Sequence, residues 1–509
     1  TDVPGHTRSI IDPMYDAGIR LLHVGINSAC PLPSVPTFCR WRSPSGNDLL
    51  LVYQKDYGED EVLPDGKTVV SINFTGDNHG PHSYERVKKI YADLRKRYPQ
   101  AQLVGASFND VARELLLIKK DLPVVTSEIG DTWIFGYGGA PIRMAKFRAV
   151  SRLYSQWLNE GKIKKDSDVA LDFAAELGLI AEHTQGVDVK THLRQWDKYD
   201  MDKFLKGRSE GVFSMAEASW KEIDNYIDSA IAFLPASLQK EAREVVAEVD
   251  KVKLEDNSKM KPMARKRWEQ PIAGGMTLAG LSYQMFDGDD YDDFQNRYLR
   301  ARYEWALDDL GKRGLKESHA VSVTLYAQTM AQSVRKEKKG TRIITELRFP
   351  ENEKVDKRVY PDRIQVNCFT TKNGKRSEVA LTVYGKPAVR LPESYWLSFT
   401  VPGIESVIAE KMGERVDLMD VVEKGNRQMH GIDRYVDLIT SGETIRISSK
   451  EAFLLNVGEA QGLNYSTNYP DKHKGVHFNL NNNLWGTNFS MWNEGSLTYH
   501  FVIETLNHK

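Results

Sequence analysis

Three hydrophobic rhythms follow one another along this 509-residue chain, and no fold built from one kind of element accommodates all three. Up to residue 141, short apolar runs at 21–25, 48–53, 69–74, 102–106 and 122–126 are separated by helical stretches at 10–19, 84–98 and 108–119. Short strands spaced by helices predict a parallel sheet with βα crossovers. From 142 to 315 apolar positions recur at three and four, as in Phe147, Val150, Leu153 and Trp157, then Ile223, Tyr226, Ile227, Ala230 and Leu234. That spacing lines one helix face, so a helical bundle is expected. From 316 to 509 apolar and polar residues alternate over many short segments, including 320–326, 342–349, 363–369, 378–384 and 395–400. Period two with turns between predicts an antiparallel β-sandwich. The expected class is α/β plus all-β, in several domains, because the chain exceeds what one ordinary core supports.

Charge excludes two partner classes. Lys and Arg number 69 against 70 Asp and Glu, for a formal net charge of -1, so nothing steers the molecule toward nucleic acid or an anionic membrane. The basic run from Arg335 to Lys339 contains Glu337 and ends at Gly340, as a solvated hairpin tip would. No stretch reaches the roughly 18–20 apolar residues of a membrane span, so a soluble chain is expected. The sequence opens without an initiator Met or a charged-then-apolar leader, which leaves the compartment open, a secreted or periplasmic one being favoured. Three cysteines make neither a disulfide framework nor a zinc knuckle, and Cys30 and Cys39 read as buried free thiols. Ten Trp, 22 Tyr and 18 Phe lean toward a ligand that stacks, such as a sugar.

In parallel sheets, function sits in loops at the carboxyl ends of strands. Three polar clusters fall at such places: Asp2-Val3-Pro4-Gly5-His6, Gly76-Asp77-Asn78-His79-Gly80-Pro81 and Ser127-Glu128-Ile129-Gly130-Asp131-Thr132-Trp133. In the first, Pro4-Gly5 between a carboxylate and an imidazole excludes regular helix or strand, so Asp2 and His6 project from a turn. A helix at 168–180 runs into Ala181-Glu182-His183-Thr184-Gln185-Gly186, where His183 reads either as a cationic helix cap or as a ligand. The Asp-rich stretch 287–293 lacks the spacing and closing Glu of a calcium loop and reads as a helix start. Asn481-Asn482-Asn483-Leu484-Trp485-Gly486-Thr487-Asn488 reads either as a sharp turn or as a Trp-and-amide sugar contact.

Taken in order, these segments resemble the catalytic half of the family-38 glycoside hydrolases, the retaining α-mannosidase superfamily, in a divergent branch. Asp2-Val3-Pro4-Gly5-His6-Thr7, Ala17-Gly18, 38–41 and 46–50 are similar to that family's Asp-Pro-Phe-Gly-His-Ser segment and its continuation. Gly76-Asp77-Asn78 resembles its Gly-Asp-Asp loop, with Asn78 in the second acidic position. The stretch 133–141, leading to Lys146 and Arg148, resembles its aromatic-Gly loop, and 182–188 its His-rich helix end. The β region is matched chiefly by 483–489. The family's His-x-Asp element on its first strand has no counterpart in this sequence.

The resemblance implies an incomplete (β/α) barrel over 1–141, a helical bundle completing the active site over 142–315, and a β-sandwich over 316–509. It implies a zinc-dependent retaining glycosidase acting on an α-linked sugar at a non-reducing end, with an oligo- or polysaccharide substrate. Asp2 would be both metal ligand and nucleophile, and His183 a metal imidazole. A second carboxyl group about 5 Å away would serve as acid and then base; Asp77 is first in line, Asp131 next and Glu128 third. His6, His79, Trp133, Glu182, Asn483 and Trp485 would contact substrate. Two further zinc ligands would come from a segment upstream of Thr1 or from a second chain. A polysaccharide lyase or a metal-dependent carbohydrate deacetylase could use the same metal, Asp and His. A non-catalytic carbohydrate-binding protein is the remaining alternative.

Overall fold

The computed structural model describes residues 1–76, 79–193, 195–486 and 488–506. It mixes helix and sheet, with large antiparallel sheets in the C-terminal part. The first part holds a four-stranded sheet in the order Leu21–Gly25, Asp48–Gln54, Phe38–Arg42, Val124–Val125. Its central strand is the run Leu49-Leu50-Leu51-Val52-Tyr53, buried throughout, as a strand covered on both faces must be. This sheet is mixed, where a parallel one was expected. Leu21–Gly25 runs parallel to Asp48–Gln54, whereas Phe38–Arg42 runs antiparallel to it. The reason is local: a tight turn over 43–47, with Ser43 and Asn47 hydrogen-bonded and Gly46 at φ +100°, joins the two, and a short connection permits only antiparallel pairing.

Two further expectations in this part are corrected. Val69–Ser71 pairs with Asp60–Val62 in a separate hairpin, and 102–106 forms no strand, with Val104 70% exposed. A short apolar run makes a strand only where a partner edge is available. The helices Tyr84–Arg97 and Phe108–Leu117 form as expected, each begun by a Ser at the N-cap.

The helical part packs Pro141–Asn159, Asp168–Gly178, Ser214–Ala232 and Ala236–Asp250 around Val150, Trp157, Phe173, Ile223, Ile227 and Ile231. The bundle does not extend to residue 315. Thr277–Met285 is a buried strand that pairs with Glu393–Thr400 inside a seven-stranded sheet. Burial of Leu278, Leu281, Tyr283 and Met285 and pairing with strands on both sides outweigh the helical context. The Asp-rich stretch opens the helix Gly288–Tyr298, with Asp287 and Asp290 forming a capping box.

The seven-stranded sheet faces a ten-stranded antiparallel one, and Phe399 and Phe478 of the first meet Phe501 of the second at 5.4 and 5.1 Å between ring centroids. The basic run lies at the turn between Gln328–Lys336 and Gly340–Arg348, as expected. Cys30, Cys39 and Cys368 are free and buried. Among the described residues, no helix is long and apolar enough to cross a membrane.

Candidate active site

The Asp2 to Thr7 turn and the 127–133 loop meet face to face. His6 N donates to Ile129 O at 2.7 Å, and Ile129 N donates to His6 O at 3.1 Å. Gly5 adopts φ +87°, the left-handed region, and a Cβ there would stand 3.0 Å from the Asp131 Cβ. The same loop is tied to the β part: Glu128 N donates to Asp420 O at 2.9 Å, Val422 N to Glu128 O at 2.9 Å, and Asn426 N to Gly130 O at 3.0 Å. Between these segments, the start of the helix Pro141–Asn159 and the hairpin around Lys411 lies a cavity of about 530 Å³. That volume is in the range of small-molecule sites, roughly 300–1,000 Å³.

Asp131 lines this cavity. Its Oδ1 accepts from the Tyr298 hydroxyl at 2.9 Å, from Trp133 N at 3.2 Å and from Thr132 N at 2.5 Å. Those bonds favour the carboxylate, yet burial outweighs them and pushes the pKa up to about 6. Burial acts oppositely on His6, holding its imidazole down near pKa 4 and neutral. Among the described residues, His6 Nδ1 and Trp133 Nε1 are buried without a hydrogen-bond partner.

Glu128, 3% exposed, is fully engaged. Its Oε1 accepts from Arg8 N at 2.7 Å and the Thr7 hydroxyl at 3.1 Å, and its Oε2 pairs with Lys411 Nζ at 2.8 Å. His430 is buried beside this pair, and burial, aided by the Lys411 charge, lowers its pKa to about 3. Its Nε2 lies 2.7 Å from Arg427 O; a carbonyl can only accept, so Nε2 carries the proton of the neutral ring.

The cavity thus brings together His6, Glu128, Asp131, Trp133 and His183. Asp2 lies to one side: its Oδ2 accepts from Tyr57 OH at 3.2 Å. Asp2 and Asp131 both act on Cys30, whose thiol burial pushes up and whose ionisation the two carboxylates oppose further. His183 is half exposed at the rim, with Nδ1 turned to the Glu182 carboxylate. His79 is exposed and away from the cavity, and Asp77 lies outside the described residues.

Asn481 and Asn482 belong to the buried strand Val476–Asn482 and do not form an exposed turn. Asn483 gives its amide hydrogens to Val389, Leu391 and Met491 carbonyls and accepts from Glu393 N at 2.7 Å. Trp485 packs edge-on against Phe294 at 5.7 Å, away from the cavity, and Thr487 lies outside the described residues. Sequence reasoning missed Lys411, His430 and Tyr298. Nothing local marks Tyr298 or His430, while Lys411-Met412-Gly413 does read as a turn between strands.

Among the described residues, no group of three or more His, Cys, Asp or Glu side chains is arranged to hold a metal ion. With Asp2 bonded to Tyr57 and His183 to Glu182, the described residues do not fit a zinc site.

Residues 138–272 match the family described as "Domain of unknown function (DUF5054)". No curated protein matches the chain significantly. Among solved structures, an alpha-mannosidase from Enterococcus faecalis V583 aligns over 99% of this chain and 73% of its own, at 9% identity and a TM-score of 0.49. A protein in glycosyl hydrolase family 38 from Enterococcus faecalis aligns over 99% of this chain and 72% of its own, at 10% identity and a TM-score of 0.43.

Proposed function

We propose that this chain is a retaining glycoside hydrolase acting on an α-linked sugar at a non-reducing end, with Asp131 as general acid and, as the sequence resemblance implies, Asp2 as nucleophile, next to the cavity-lining turn from Val3 to Thr7. The observation that carries the reading is Asp131 itself, a carboxyl group on the cavity wall whose pKa burial raises to about 6, so that it can hold a proton near neutral pH. In the first step Asp131 gives that proton to the glycosidic oxygen while the Asp2 carboxylate attacks the anomeric carbon, breaking the bond to the leaving group. In the second, Asp131, now a carboxylate, takes a proton from water, the hydroxide bonds to the anomeric carbon, and Asp2 is released. His6 and Trp133 line the cavity beside Asp131, where their rings would pack against the sugar.

The sequence resemblance supports the same role for the Asp2 segment; the zinc it also implies is not met by Asp2 and His183 as they are placed, and its ligands would have to come in part from another segment or chain. No step above depends on the metal. The test is trapping with a 5-fluoro-α-mannosyl fluoride followed by peptide mass spectrometry. A covalent glycosyl adduct on Asp2 is expected. An adduct on Glu128, or a released product of inverted configuration, would overturn the assignment. An unsaturated uronide product would favour a lyase.

A further inference from the structure

The cavity has one end beside buried ring nitrogens without partners and another whose polar groups, the half-exposed Asp433 carboxylate apart, are engaged. Beside Gly5, the buried His6 Nδ1 and Trp133 Nε1 have no partner among the described residues. Further in, Arg148 gives its guanidinium hydrogens to the carbonyls of Lys450 at 3.1 Å, Ser449 at 3.4 Å, Ile432 at 3.5 Å and Asp433. Glu128 and Lys411 satisfy each other. The wall around these engaged groups is Met144, Phe147, Phe453 and Ile432. Away from Asp433, hydroxyls buried against this wall would go without hydrogen bonds, which is costly, whereas hydrocarbon would be favoured.

The mouth has the same character. Ile134 and Met412 line it and stay 37% and 53% exposed. Met412 also stands at φ +52°, in the left-handed region that disfavours a long side chain, at a turn followed by Gly413 at φ +91°. An apolar residue thus occupies a position whose backbone suits Asn or Gly, and it does so at the entrance to the site.

We infer that the glycoside taken by this site carries an apolar aglycone, an alkyl or aryl group seated on Met412, Ile134, Phe147 and Phe453. The inference rests on the glycosidase reading for the sugar end. It departs from the oligosaccharide expected from sequence, because a second sugar would present hydroxyls to groups that, Asp433 apart, are already bonded.

The test uses non-hydrolysable methyl and n-hexyl 1-thioglycosides of α-mannose, α-glucose and α-galactose, titrated calorimetrically into the full chain. The hexyl ligand of at least one sugar is expected to bind tenfold or more tightly than its methyl counterpart. Met412→Asn, which suits the left-handed backbone, should cut that ratio several-fold without lowering the thermal midpoint; Phe147→Ala should cut it as well. Equal hexyl and methyl affinity, no binding by any of these ligands, or a ratio that neither variant changes would overturn the inference. Failure of the glycosidase reading looks different: the hexyl preference persists, yet the corresponding O-hexyl glycosides are not cleaved.

Discussion

The Tyr298 hydroxyl donates to Asp131 Oδ1 at 2.9 Å from 167 residues further along the chain, and it opposes the burial that raises the Asp131 pKa. Removing it in Tyr298→Phe takes away a bond that favours the carboxylate, so the Asp131 pKa should rise. A hydrogen bond worth a net ~0.5–1.5 kcal/mol corresponds to about 0.5–1 pKa unit. The alkaline limb of the kcat/KM profile, which reports the acid of the free enzyme, should move upward by that amount from near pH 6. An unmoved limb would remove Asp131 from the acid role.

Asp131→Asn should abolish turnover and stabilise the fold at the same time. The folded pKa lies above the unfolded value, so the native state binds the extra proton between about 4 and 6 and loses stability as pH rises through that window. Above it the buried carboxylate costs up to about 3 kcal/mol, a bound that solvent at the open face reduces. Asn keeps the acceptor for Tyr298, Thr132 and Trp133. Thermal denaturation should show a higher midpoint than wild type at pH 8 and no gain at pH 4.

Three buried histidines give the opposite slope. His6, His430 and His477 have folded pKa values of about 4, 3 and 4, lowered chiefly by burial, while the unfolded chain takes up their protons near pH 6.5. Stability should therefore be complete above 6.5 and fall as pH drops toward 4. Urea midpoints measured across that window should decline, and His477→Asn should flatten the decline. A flat wild-type curve would contradict neutral burial of these rings.

Lys411 compensates Glu128 where both are nearly inaccessible, with side chains 11% and 4% exposed. Lys411→Met should leave an unpaired buried carboxylate and cost about 3–5 kcal/mol in chemical denaturation. The double variant Lys411→Met with Glu128→Leu should recover much of that loss. No recovery would mean that Lys411 acts by packing and not by charge.

Zinc should associate weakly with this chain by itself. Asp2 and His183 are two donors where zinc takes four, and each already faces another partner. Elemental analysis after gel filtration should give well under one zinc per chain, rising toward one only when a complementing segment or chain is supplied. Stoichiometric zinc retained by these 509 residues alone would show that the missing ligands lie within them.

Features that depend on near neighbours were legible in the residue pattern. Period two and period 3.6 located most strands and helices, Asp287 and Asp290 fixed a helix start, and Pro4-Gly5 fixed a turn with Asp2 and His6 upon it. Local pattern could not say that Phe38–Arg42 would enter the sheet antiparallel to Asp48–Gln54 and parallel to Val124–Val125, or that Thr277–Met285 would leave the helical part for a sheet. Which polar residues face the cavity was settled by long-range packing. It set Gly5 against Asp131, brought Lys411 to Glu128 across 283 residues, and committed Asn483 to backbone groups. Periodicity is a property of residues two to four apart, whereas burial, and with it the proton affinity of Asp131 and His6, is set by every segment that packs around them.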